Sequence, residues 1–286
     1  MNPYQTFISD LVRVVRQAKG HPLGGLPKPE RPQPAPSAPK ALIFSPHPDD
    51  EVIIGGLALR LLRELKWKVI NVAVTQGSNR VRQPERWREL QACCDYVGFG
   101  LLATRENGLD DVNLKTRSGR PEVWRNSVER IAEILREQRP KVIFFPHDDD
   151  WNSSHIGTHH LVMDALAICG NEFSCHAVET EFWGAMDTPN LMVESSEQDV
   201  VDLITALSFH VGEVRRNPYH VRMPAWLMDN VRRGGELVGG QGGAVPDFMF
   251  GTLYRLRRWR AGALEPVLER GRFVSSADSL AALFAD

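Results

Sequence analysis

Short apolar runs separated by amphipathic stretches and polar loops recur along the chain from Ala41 onward, and this pattern predicts alternating strands and helices. Ala41-Leu42-Ile43-Phe44 is apolar at every position, as expected of a parallel strand buried on both faces. A leucine-rich helix is expected over Val52 to Leu65, with small residues at Gly55, Gly56 and Ala58. A second strand over Lys68 to Thr75 runs into the loop Gln76-Gly77-Ser78-Asn79, and a helix from Pro84 to Val97 stops at Gly98. Val123 to Gln138 has amphipathic helical spacing, Pro140 leads into a third buried strand over Lys141 to Pro146, and a helix follows through Leu161 to Ile168. The later pattern is less regular. It predicts strands near Val178 to Trp183 and Leu191 to Glu194, a helix over Asp199 to His210, and a glycine-rich segment from Gly234 to Gly243 read as a mobile flap beside the binding pocket. A strand with an arginine-rich face over Phe248 to Trp259 and a short helix over Ser276 to Ala285 complete the series. Such alternation predicts an α/β, Rossmann-like fold: a mostly parallel sheet, helices on both faces, and ligands bound at the carboxyl ends of the strands.

Before the first strand the character changes. Phe7, Ile8, Leu11, Val12, Val14 and Val15 fall at roughly helical spacing, and prolines crowd the segment from Pro22 to Pro39. The chain therefore divides into a leading helix over residues 1–20, a linker over 21–40 and one main domain over 41–286. Outside the main sheet, the leading helix reads as a lid, a strap or an oligomer contact, so a homo-oligomer is a possible state. With 286 residues and 42% hydrophobic composition the chain can build a sizeable core. A formal charge of −2 with interspersed signs offers no broad basic face, which disfavours nucleic acid and anionic lipid as partners. No apolar stretch nears the roughly 20 residues of a membrane helix, and the start lacks the order of a signal peptide, so a cytoplasmic protein is expected. Cys93, Cys94, Cys169 and Cys175 lack zinc-ribbon or redox spacing and read as small buried hydrophobes.

The chemistry concentrates after two of the buried strands. Ser45-Pro46-His47-Pro48-Asp49-Asp50-Glu51 follows the first, and His147 to His160, with sequence His-Asp-Asp-Asp-Trp-Asn-Ser-Ser-His-Ile-Gly-Thr-His-His, follows the third. A hydrolytic zinc site takes three ligands of the His, Asp and Glu type and leaves positions open. His47 and Asp50 stand three apart at a strand-to-helix turn, and His155 completes a set of two histidines and one carboxylate. Bound Zn²⁺, one per chain, then keeps positive charge and brings the pKa of its water towards about 7; Fe²⁺ is the alternative. Asp49, beside the ligand set, is the expected general base. Glu51 either supports the ligands or opens the helix, where an acid suits the dipole. Taken singly, Pro-Asp-Asp-Glu is also a helix-capping sequence and His155, His159 and His160 suit a solvent-facing helix start. The coincidence of two such clusters at one sheet edge favours the metal.

These residues resemble the PIG-L/LmbE-like zinc de-N-acetylases, which remove acetyl from N-acetylglucosaminyl conjugates. The likeness runs through most of residues 41 to 170: His47-Pro48-Asp49-Asp50-Glu51 is the specific part, and Thr75-Gln76-Gly77, Arg86-Trp87-Arg88-Glu89 and Asn152 to His159 support it. The resemblance implies His47, Asp50 and His155 as zinc ligands, Asp49 as base, and Arg86, Thr75 and His159 as substrate contacts. Where the family often has a histidine that stabilises the tetrahedral intermediate or protonates the amine, this chain has Asn152, whose amide can donate to an oxyanion but cannot shuttle a proton. Asp49 must then make both proton transfers, unless His159, His147 or His210 substitutes. Arg86 and Glu89 are otherwise readable as an intrahelical ion pair, and His210 as a helix-terminal contact. The resemblance thus implies a zinc-dependent amidohydrolase acting on a small N-acetylglucosamine-type conjugate. A phosphoesterase at the same metal and a non-catalytic sugar or nucleotide binder are the competing classes. The charged loop from Gly108 to Pro121, with Asp110, Asp111, Lys115, Arg117 and Arg120, could meet a charged aglycone, solvated loop charge being the plainer reading.

Overall fold

A computed structural model describes residues 2–285. Helix α1 (Pro3–Ala18) precedes a stretch without helix or strand, and strand β1 (Lys40–Ser45) begins the sheet. Then follow α2 (Asp50–Ile53), α3 (Gly56–Leu65), β2 (Lys68–Ala73), α4 (Gln83–Val97), β3 (Gly100–Ala103), α5 (Leu114–Gly119), α6 (Pro121–Gln138), β4 (Val142–Pro146) and α7 (Ser153–Ile168). The second part holds β5 (Cys175–Thr180), β6 (Leu191–Glu194), α8 (Glu197–Leu207), α9 (Val211–Arg216), a 3₁₀ turn at Tyr219–Arg222, α10 (Met223–Leu237), β7 (Gly251–Arg260), β8 (Ala263–Pro266) and β9 (Arg272–Val274).

The strands form one sheet in the order β3-β2-β1-β4-β5-β7-β6-β9, with β8 paired to β7. From β3 to β5 every pairing is parallel, whereas β7 runs antiparallel to β5 and β6. Alternation along β1 and β4 assigns the faces. Ile43 and Phe144 join Leu57, Leu61, Leu90, Leu203 and Leu207 of α3, α4 and α8, while Leu42, Ile143 and Phe145 join Ile131, Leu135, Leu161 and Val162 of α6 and α7. Helices thus cover both faces of a mostly parallel sheet, as the alternating pattern predicts.

The expected helix over Val52 to Leu65 is instead two helices. Tyr254 of β7 donates its hydroxyl to the Ile54 carbonyl at 2.6 Å and accepts from the Leu57 amide at 3.4 Å, so the groups freed by the break are paired. Gly55, at φ +81°, lies so near Thr252 that a Cβ would be 2.0 Å from Oγ1. The glycine-rich segment is part helix and part loop: Gly239 to Gly243 follow α10 without helix or strand, and none of them lines the cavity at the candidate site. Gly234 and Gly235 lie inside α10, and a Cβ on Gly234 would stand 2.5 Å from Met192 Sδ, so glycine there permits close packing at the β6 edge. The strand expected to end at Trp183 ends at Thr180, and the terminal helix shortens to a 3₁₀ turn over Leu280–Leu283.

The proline-rich segment lies on the main domain. Arg31 is buried, pairs with Asp202 at 2.8 Å and donates to the Tyr96 carbonyl, and Lys28 pairs with Asp95 at 2.6 Å. Helix α1 buries none of its own residues. No helix of the described residues is long and apolar enough to cross a membrane.

Candidate functional site

The register of the central strands brings the two polar clusters together. Ala41 faces Val142 and Ile43 faces Phe144 across the parallel pair, so β1 and β4 end at matching levels and their following loops share one edge. At that edge His47 Nδ1 lies 3.2 Å from His155 Nε2 and 3.4 Å from Asp50 Oδ2, and His155 Nε2 lies 3.3 Å from the same oxygen. His155 owes its position to α7, which begins at Ser153 rather than near Leu161; Asn152 caps it by accepting from the Ser154 amide at 2.8 Å. Asp50 Oδ2 also accepts from the His47 amide at 2.8 Å, which closes the turn.

Three lone-pair donors converging on one point fit a divalent cation. Burial opposes charge on Asp50, yet His155 and His47 outweigh it and hold the carboxyl well below its ordinary range. Burial likewise opposes protonation of His155, but Asp50 and Asp150 push its pKa up to about 10. The buried carboxylates thus demand a positive charge at this point, which a proton on His155 or a cation between the ligands supplies. Asp150 completes the arrangement: its Oδ1 lies 3.6 Å from His155 Nδ1, which has no hydrogen-bond partner, and the amides of Asn152, Trp183 and Gly184 fix it at 2.8, 3.1 and 3.2 Å. A carboxylate behind a ligand histidine orients the ring and raises its basicity.

Asp49 adopts φ +115°, in the left-handed region, with its amide donated to Glu51 Oε2 at 2.9 Å. Glu51 Oε1 in turn meets His210 Nε2 at 2.6 Å, so this acid braces the turn from behind. Burial opposes protonation of His210, but Glu51 and Asp49 prevail and raise its pKa. Tyr219 donates its hydroxyl to Asp49 Oδ2 at 2.5 Å. Burial first, then the adjacent Asp50, pushes the Asp49 pKa up to about 6, against the pull of His210, Arg86 and the Tyr219 hydrogen bond.

A cavity of about 400 Å³ opens onto this cluster, lined by His47, Asp49, Asp50, Asn152 and Trp183 on one side and by Ser78, Asn79, Arg82, Arg86, Glu213 and Arg216 on the other. Of the residues expected at the site, His47, Asp49, Asp50, His155, Asn152 and Arg86 come together, the last donating to the Pro48 carbonyl at 2.8 Å. The alternative Arg86–Glu89 pair does not form: Glu89 accepts from the Gly212 amide at 2.8 Å and Arg86 turns towards Glu213. Thr75 and His159 do not line the cavity. Thr75 staples the His47 turn by donating to the Pro46 carbonyl at 2.7 Å, and His159 Nδ1 meets the Pro146 carbonyl at 3.0 Å beside Glu179. His147 is buried with its ring engaged by the Gly184 carbonyl at 2.9 Å and the Asp149 amide at 3.2 Å. In the charged loop Arg120 pairs with Asp111 at 2.5 Å, while Arg117 reaches Asp164 of α7 at 2.8 Å. Cys93, Cys94 and Cys175 are buried, and all four thiols are free.

Sequence reasoning overlooked Asp150, Tyr219, Arg82, Glu213 and Arg216. Asp150 sits in a run of three aspartates that only the fold tells apart, and Tyr219 carries no local signal.

Comparison with known proteins agrees with the motif reading. Residues 42–166 match the PIG-L family model, described as GlcNAc-PI de-N-acetylase, which supports a deacetylase. No curated protein matches in a sequence search. Among solved structures, the N,N'-diacetylchitobiose deacetylase of Pyrococcus horikoshii is 17% identical, with 90% of this chain and 93% of that one covered at a TM-score of 0.57. A conserved protein of Thermus thermophilus is 19% identical, covering 75% of this chain and 93% of its own at 0.52. The 4-carboxy-2-hydroxymuconate hydratase GalB of Pseudomonas putida is 16% identical, covering 76% and 95% at 0.55. At such identities these likenesses establish the fold alone, and a hydratase among them shows that the fold hosts more than one reaction.

Proposed function

We propose that this chain is a metal-dependent hydrolase that removes an N-acetyl group from an amino sugar or a conjugate of one. The observation that carries the reading is the convergence of His47 Nδ1, Asp50 Oδ2 and His155 Nε2 within 3.2–3.4 Å of one another, with Asp49 beside them on an open cavity. A divalent cation held by these residues, zinc or iron(II), supplies Lewis acidity towards water and the amide carbonyl. The protein does the rest. With its pKa pushed up to about 6, Asp49 is matched to accept a proton from water near neutral pH, and Tyr219 holds its Oδ2 so that Oδ1 takes the proton. Asn152, its Oδ1 fixed on the Ser154 amide, has its amide nitrogen to donate to the developing oxyanion. Asp49 returns the proton to the departing amine, because the rings of His147 and His159 are engaged elsewhere and His210 stands behind Glu51. Trp183, 44% exposed at the cavity, offers a flat apolar face to a sugar ring.

A two-metal phosphoesterase requires a second cation adjacent to the first. Glu51, Cys93 and His210 do cluster, but all are buried and none lines the cavity. Amine release from N-acetylglucosamine and its glycosides, followed on protein of counted metal content before and after chelation and zinc restoration, tests the proposal. Amine should appear only with about one cation per chain. Metal-loaded protein that releases none from the whole panel would overturn it.

A further inference from the structure

Behind the cavity lies a second cluster of ligand-type side chains. Glu51 of α2, Cys93 of α4 and His210 at the N-cap of α9 are buried, none of them lines the cavity, and one ligand atom from each lies within 4.8 Å of the others. Glu51 Oε1 meets His210 Nε2 at 2.6 Å, while Glu51 Oε2 is kept by the Asp49 amide at 2.9 Å. The Cys93 thiol faces the same carboxylate, and burial first, then Glu51, pushes its pKa well above the ordinary value. A fourth group stands one helical turn away. Glu89, four residues before Cys93, shares its face of α4. Its side chain is carried by a residue only 9% exposed; Oε1 accepts from the Gly212 amide at 2.8 Å, and Oε2 is buried without a hydrogen-bond partner. Glu89 also acts on His210 as a negative charge. A buried carboxylate oxygen calls for a partner, and no described residue supplies one.

We propose that Glu51, Cys93 and His210 form a second, closed cation site for Zn²⁺ or another divalent cation that favours thiolate, with the free oxygen of Glu89 beside the fourth position. Thiolate, imidazole and carboxylate are all zinc ligands, and structural zinc sites are four-coordinate with no position left open. Filling the site conserves charge. The Cys93 thiol proton and the proton between His210 and Glu51 leave as one divalent cation enters, so the net charge buried in the cluster is unchanged. The contact between Glu51 and His210 has to widen to roughly 3.3 Å, the edge of a tetrahedron with bonds of about 2.0–2.1 Å. Glu51 Oε2 keeps the Asp49 amide throughout, so the cation ties α2, α4 and the start of α9 together without releasing Asp49. The set formed by His47, Asp50 and His155 contains no sulfur and opens on the cavity; the closed site stands whatever substrate that set serves.

The test uses the full-length protein produced with Co²⁺ in place of zinc, so that the ion meets the chain as it folds. About two cobalt ions per chain are expected, together with a thiolate-to-cobalt charge-transfer band that the sulfur-free cavity site cannot give. Cys93→Ser should abolish the band and lower the count by about one ion; His210→Gln gives the same fall in count if the serine variant misfolds. A single ion per chain with no band overturns the proposal. So does a band that survives Cys93→Ser, which places the ion on another thiol, and so does a second ion without a band, which places it away from sulfur. A single ion with the band leaves the closed site standing while the cavity loses its metal and the deacetylase reading falls.

Discussion

The two walls of the cavity are anchored differently. His47, Asp50 and His155 follow β1 and β4, neighbouring central strands whose register brings their carboxyl ends level, so the ligand atoms come within 3.4 Å of one another. Arg82 and Arg216 stand on α4 and the six-residue α9, joined through Glu213 and the Glu89 contact to the Gly212 amide. Strand ends in a packed sheet hold side chains within tenths of an ångström, as a metal requires; a short surface helix tolerates variation, as substrate choice requires. On the proposed reading, the chemistry belongs to the strand ends of the sheet.

The sharpest way to break this division is Asp49→Asn. It should keep metal and lose about two to four orders of magnitude in turnover, the range of a general base; near-normal rates would remove Asp49 from the chemistry. Next comes Asp150→Asn, which leaves the three ligands in place but weakens the hold on His155. Metal affinity, measured by competition with a chelator, should fall roughly 10–100-fold, and an unchanged affinity would mean that α7 alone positions the ring. The smallest effect is expected of Tyr219→Phe, which removes a hydrogen bond to a carboxylate worth about 1.5–3 kcal/mol. Turnover should drop about tenfold with metal stoichiometry intact, whereas a loss of metal would place Tyr219 among the supports of the ligand set.

Much of the candidate ligand cluster was legible because a side chain at a fixed offset from an apolar strand is a local feature. His47-Pro48-Asp49-Asp50-Glu51 follows β1, and His155 follows β4 through a helix whose start at Ser153 sequence reasoning placed too late. His159, one turn beyond His155, looked equally chemical, yet its ring packs against Phe145 and its Nδ1 turns to the Pro146 carbonyl. The opposite wall was not legible. Arg86 was visible through its motif, but Arg82 and Arg216 look like any surface arginine until α9 is placed over α4. The charged loop from Gly108 to Pro121 was the more conspicuous place for a charged aglycone, but Arg120 pairs with Asp111 inside it, Arg117 with Asp164 of α7 and Asp110 with Arg80.

By itself the sequence determined the alternation of buried strands and helices, the parallel core and the two polar loops that carry the candidate ligands, because apolar periodicity and turn chemistry act over a few residues. Tertiary structure alone decided that the helix after β1 breaks at Gly55, that Glu51 turns to His210 and Tyr219 to Asp49, and that Glu213 gathers arginines from two helices. Each of these depends on partners distant in the chain, whose meeting is settled by packing and by the pairing of buried polar groups rather than by local preference.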